Sequence, residues 1–148
     1  MKFLEISDTL LSDDVKVIEN ELKVTFPQDF VEHYLEFNGG YPEKDKFLWD
    51  KNDHNITTTV NTFFSLKFEG FGNIEFIYQD LVLNKKYLPN GIIPFASDDG
   101  GNLFCISCRD EDYNCVYYCN NDHYNTNNNE AHLTLLNKSF NDFLNNLI

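Results

Sequence analysis

Positive charge is scarce in this chain of 148 residues: 11 basic residues, a single arginine among them, face 24 acidic ones, for a formal net charge of −13. A surface of that sign repels phosphate backbones, which excludes nucleic-acid binding through a basic face. Long apolar runs are missing as well. Glu5 and Asp8 interrupt the start of the chain, and no later run approaches the ~20 residues that a membrane span requires. The expectation is a soluble, unsecreted, cytoplasmic protein without a membrane partner. Aromatic residues, by contrast, are plentiful: 14 Phe and 8 Tyr supply a core that a disordered chain would lack. At this length one self-sufficient core is expected, so residues 1–148 read as a single domain.

The order of elements follows from spacing. Ser12-Asp13-Asp14-Val15 reads as a helix entry with Ser12 as cap, and Val15, Ile18 and Leu22 recur on one face. Pro27 suits the first turn of a second helix with the stripe Phe30, Tyr34, Phe37, and Asn38-Gly39-Gly40 ends it. Phe47-Leu48-Trp49 reads as a short strand, and Thr57 to Phe68 as another, with Phe64, Leu66 and Phe68 on its buried face. Ile74, Ile77 and Leu81 are spaced for a third helix, stopped at Pro89-Asn90-Gly91. A meander of three strands follows: Ile92 to Ala96, Leu103 to Ile106 and Cys115 to Cys119. Residues 120–129 form an Asn-rich loop. A short strand near His132 to Leu136 then precedes a helix capped by Ser139, with Phe140, Phe143, Leu144 and Leu147 buried. The expected class is α+β, a mainly antiparallel sheet packed with N-terminal and C-terminal helices.

Catalytic and metal chemistry find little footing. Cys105, Cys108, Cys115 and Cys119 supply enough sulfur for zinc, with His123 nearby, but the strand pattern puts Cys105 and Cys108 on opposite faces. They read as free thiols, with disulfides disfavoured in a reducing compartment. Ser97-Asp98-Asp99-Gly100-Gly101-Asn102 lacks the ligand spacing of a calcium loop and the Gly-Lys-Ser/Thr of a phosphate loop. It reads as a hairpin turn in which Gly100 and Gly101 supply positive φ. No nucleophile signature surrounds His33, His54, His123 or His132. The expectation is no enzyme and no cofactor.

The ordered set of motifs resembles the SUKH superfamily of Smi/Knr-like domains. It is carried by residues 15–22, by Phe26-Pro27-Gln28-Asp29-Phe30, by Phe37-Asn38-Gly39-Gly40, by residues 93–106 and by Ser139-Phe140-Asn141-Asp142-Phe143-Leu144. Lys23 departs from the pattern, since glycine commonly ends the first helix there. The resemblance implies helices packed on a mainly antiparallel sheet, no catalysis and, for many bacterial members, neutralisation of a cognate toxin domain. Charge favours a basic partner, such as a nuclease. The competing reading is a regulatory module that binds a small molecule or peptide. Acids in predicted loops and turns are the partner-binding candidates: Asp50, Asp53, Asp98, Asp99, Asp110, Glu111 and Asp112. Trp49, the only tryptophan, stands beside the first of these as a candidate anchor, although its size favours the core.

Overall fold

The computed structural model describes residues 1–49, 57–121 and 127–148. Strand β1 (Phe3–Leu4) precedes helices α1 (Ser12–Leu22) and α2 (Gln28–Glu36), after which β2 (Tyr41–Pro42) returns to pair with β1. The main sheet has six antiparallel strands in chain order: β3 (Lys46–Leu48), β4 (Thr57–Phe63), β5 (Ile92–Asp98), β6 (Leu103–Ser107), β7 (Val116–Cys119) and β8 (Leu133–Asn137). Helix α3 (Ile74–Tyr78) lies between β4 and β5, and α4 (Phe140–Asn145) follows β8. The α+β class expected from the sequence is the one observed. The sheet curls, so Trp49, just past β3, meets Tyr118 of β7 edge to face with ring centroids 5.0 Å apart.

All of β6 is buried, which fits a central strand covered on both faces. Pro94 sits in neighbouring β5, where it cannot donate to a ladder. The register shifts between Pro94 and Ala96, and a bulge is what admits proline to a central strand. Against this sheet pack the aromatic faces of the helices. Phe30 and Tyr34 of α2 are fully buried with Phe140 and Phe143 of α4, and Phe95 touches Phe30, Phe140 and Phe143 at centroid distances of 6.2, 5.2 and 5.6 Å. The Tyr34 hydroxyl, carried into this core, donates to the Phe64 carbonyl at 2.8 Å.

Asn38 joins the two layers. Its side chain donates to the carbonyls of Leu66 (2.9 Å) and Asp8 (3.1 Å) and accepts from Leu66 N (2.8 Å), while only 2% of the residue is exposed. Gly39 and Gly40 have φ of +78° and +97°. A Cβ on Gly40 would stand 2.4 Å from the Leu4 carbonyl, so the close approach needs glycine.

Several local readings change. Leu11, not Ser12, occupies the cap position of α1, and the Asp14 carboxylate accepts from Leu11 N at 2.9 Å. Strand β4 ends at Phe63; Phe64 and Leu66 are buried, but in a turn that Asn38 holds, so their alternation has no strand behind it. The third helix runs only to Tyr78 before a π-helical turn, Gln79–Asn84, and its buried stripe is Ile74, Tyr78, Val82 rather than Ile74, Ile77, Leu81.

Two expectations about stability follow. Lys23 ends α1 at φ +57°, a left-handed position that costs a side chain roughly 1 kcal/mol. Lys23→Gly is therefore expected to raise the urea midpoint by an amount worth about 0.5–1 kcal/mol; an unchanged or lower midpoint would refute the strain. His33 is 9% exposed among the rings of Phe3, Tyr34, Phe37, Phe63 and Phe140, and burial pushes its pKa down to about 4 from 6.5. As pH falls from 6.5 towards 4, the unfolded chain takes up a proton that the folded chain refuses, so stability declines, by about 3 kcal/mol at pH 4. His33→Leu is expected to flatten that slope in urea titrations, and equal slopes would show that His33 does not drive it.

Candidate functional site

The partner-binding candidates fall at opposite ends of the sheet, because β5 and β6 run antiparallel between them. Asp98 and Asp99 lie at the β5–β6 turn with Trp49; Asp110, Glu111 and Asp112 form a 3-10 turn in the β6–β7 connection. Asp50 and Asp53 lie outside the described residues, as do His54 and His123.

At the first end, Asp98 is not an exposed loop acid. It is the last residue of β5 and only 8% exposed. Its carboxylate accepts from Gly100 N (2.9 Å), Asn102 N (2.8 Å), Asn102 Nδ2 (3.1 Å) and the Tyr118 hydroxyl (2.6 Å), which uses its acceptor capacity inside the turn. Asp99 beside it is exposed. Of the two glycines only Gly101 has positive φ, +83°, so Gly100 does not share the role expected of it. Trp49 is half-buried, packs on Phe47 and Tyr118, and donates from Nε1 to the Thr58 hydroxyl at 2.5 Å. It braces the curl of the sheet.

At the second end the acids divide again. Asp112 turns inward and takes four donors: Arg109 through Nε (3.1 Å) and Nη2, the Ser107 hydroxyl and the Tyr117 hydroxyl. Partial burial works to raise its pKa, but those donors prevail and hold it down to about 2. The same contact raises Arg109 above its ordinary value and, after burial, helps push Tyr117 up to about 12. Arg109, the chain's one arginine, also pairs with Glu130 and, at 3.6 Å, with Glu111. Its charge is consumed within the chain, whereas Asp110 and Glu111 stay exposed.

Beside this turn opens a groove of about 1010 Å³ between the end of α1, the π-helical turn and residues 108–113. Tyr113 and Leu83, 43% and 45% exposed, put apolar surface there, and Glu19 and Asp110 add acid. The Tyr113 hydroxyl donates to the Thr25 carbonyl at 2.9 Å, which fixes the ring, and Phe26 N donates to Glu19 at 2.7 Å. Cys108 lines one wall; burial, with Glu19 nearby, pushes its thiol up to about 12, so it offers no thiolate at neutral pH. Among the described residues no three His, Cys, Asp or Glu side chains are grouped to hold a metal ion. Sequence reasoning missed Tyr113, Leu83 and Glu19, because apolar and acidic residues far apart in the chain meet only on folding.

The family model described as SMI1 / KNR4 family (SUKH-1) matches residues 9–146. No curated protein matches the chain. Among the described residues no helix is long and apolar enough to cross a membrane.

The buried role of Asp98 sets an expectation. Asp98→Ala orphans two backbone amides and a hydroxyl, and a loss of about 3 kcal/mol is expected in urea unfolding. Asp99→Ala is expected to cost less than about 0.5 kcal/mol. Equal small effects would return Asp98 to the surface.

Proposed function

We propose that this chain, which belongs to the SMI1 / KNR4 family (SUKH-1), is an immunity-type protein that binds a cognate basic toxin domain and blocks it without chemistry of its own. The observation that carries the reading is the groove at the β6–β7 end. An immobilised tyrosine and an exposed leucine stand there beside the exposed Asp110, while the only arginine is neutralised in place. Buried or fixed aromatics with a charged surround are how interfaces divide their labour: the ring sets residence time and the charges set encounter rate.

Trp49 and Asp99 at the opposite sheet end form a second, smaller candidate surface, and Asp98 and Asp112 serve it and the groove only indirectly, by shaping the turns. The alternative of a small-molecule or peptide module has the same groove to work with. Two of the polar groups in its walls, Glu19 and Arg109, are already engaged within the chain, which favours a broad protein partner over a small ligand held by converging groups.

The test is a search of the neighbouring genes for a toxin domain, co-expression of this chain with it, then binding across a salt series. Wild type is expected to rescue growth and to bind more weakly as salt rises. Tyr113→Ala is expected to weaken binding at least tenfold through faster dissociation, and Asp110→Asn with Glu111→Gln to slow association and flatten the salt response. No rescue and no binding would overturn the immunity reading. Full affinity in all three substitutions would overturn the groove as its site.

A further inference from the structure

Helix α1 ends in the groove with its charge unmatched. The Lys23 and Val24 amides both turn back to the Glu19 carbonyl, which leaves the carbonyls of Asn20 and Leu22, two of the lining residues, without a donor among the described residues. The last turn of α1 holds no basic residue, so the negative end of the helix dipole stands open there. Across the groove, Tyr113 reaches from the 3-10 turn to the Thr25 carbonyl with 43% of the residue exposed. Its O–H is spent in that bond, and what the side chain offers a partner is the face of its ring.

Two basic residues line the groove as well. Arg109 is paired with Asp112 and Glu130, so its charge is already met. Lys23 is exposed at the end of α1 and has no ion pair among the described residues. Against that single ammonium stand the exposed Asp110, Glu19, which gives one carboxylate oxygen to Phe26 N, and the open carbonyls of α1. The balance is negative around an aromatic face, which is the setting that draws a cation.

We propose that the groove receives an arginine side chain of the partner, its guanidinium laid on the ring of Tyr113 and shared between the last carbonyls of α1 and the Asp110 carboxylate. The proposal rests on the immunity reading of this groove and names what the partner puts into it. A guanidinium suits these groups better than an ammonium, because it is planar, stacks on a ring, is weakly hydrated and forks its N–H donors among several acceptors. Val24 and Leu83 give the aliphatic stem apolar surface to lie on. Each contact alone is weak, so the arginine is one anchor within a larger interface.

The test titrates N-acetyl-arginine amide into the full chain, without toxin, and follows backbone amide chemical shifts; the lysine and citrulline amides serve as comparisons, the second keeping the shape of arginine without its charge. Saturable shifts over residues 22–25 and 109–113 are expected at millimolar arginine amide, weaker ones with lysine and none with citrulline. Tyr113→Ala is expected to weaken binding about twofold to fivefold, the worth of an exposed cation–π contact, and Tyr113→Phe to retain it. Lys23→Gln removes the competing charge from an exposed position and is expected to tighten binding about twofold, which decides the matter even if Tyr113→Ala does not fold. Shifts that do not saturate or that map elsewhere, an equal response to the lysine or citrulline amide, or an affinity indifferent to Lys23→Gln would overturn the proposal. If the arginine amide fails to bind while Tyr113→Ala still weakens a toxin complex, the occupant is overturned and the groove stands. Arginine binding beside a failure to rescue any toxin overturns the immunity reading alone.

Discussion

One buried carboxamide organises the molecule. Asn38 satisfies both backbone groups of Leu66 and one carbonyl of the N-terminal segment, so three stretches of chain far apart in sequence are tied at a point water does not reach. In so dry a setting each bond is strong and each orphan is costly, which makes the arrangement close to all-or-none. The rest of the packing assumes it. Only with the segment after β4 held there does the Phe64 carbonyl meet the Tyr34 hydroxyl, and only then does α2 present Phe30 and His33 to α4.

Electrostatics in this protein is a matter of which carboxylates are spent. An excess of 13 negative charges suggests a uniformly acidic shell, yet Asp98 and Asp112 are absorbed in turn-forming networks, and Glu130 and Glu111 are drawn towards the one arginine. Of the described acids that the sequence offered for a partner, Asp99 at one sheet end and Asp110 at the other are left exposed outside these networks. Composition therefore says nothing about which acids the turns absorb.

The same contrast decides what was legible in the sequence. Devices that act within a few residues could be read: Ser139 caps α4 by accepting from Asp142 N at 3.1 Å, and the meander of β5, β6 and β7 stands where alternation and glycine place it; α2, however, ends at Phe37, whose backbone is already extended, before the glycines expected to stop it. Devices that act across the chain could not. Asn38 meets Leu66 28 residues on, and nothing in a helix-stop motif announces that partner. Asp98 and Asp99 are alike in sequence, and a tyrosine 20 residues away draws one of them inward. Asp112 was nearer to being readable, since Arg109 precedes it by three residues and a fork-to-carboxylate pair at that spacing is a common local motif. Family resemblance carried the architecture further than either kind of pattern, because it encodes the long-range pairings that single-chain periodicity omits.

The sheet's strand order copies the chain order without a crossover, so each ladder can be assembled from a strand and its immediate successor. The costly loop closures lie elsewhere, in the meeting of Phe30 with Phe140, ring centroids 5.2 Å apart, and of Phe47 with Phe143 at 5.5 Å. A polypeptide of this layout is expected to gain its meander quickly and to wait on the seating of α4 as its late kinetic event. During synthesis the hollow of the curled sheet would then stand open until residues 140–147 have emerged, with Phe95 and Phe104 uncovered. For as long as that lasts the nascent chain is a substrate for chaperones rather than a working protein.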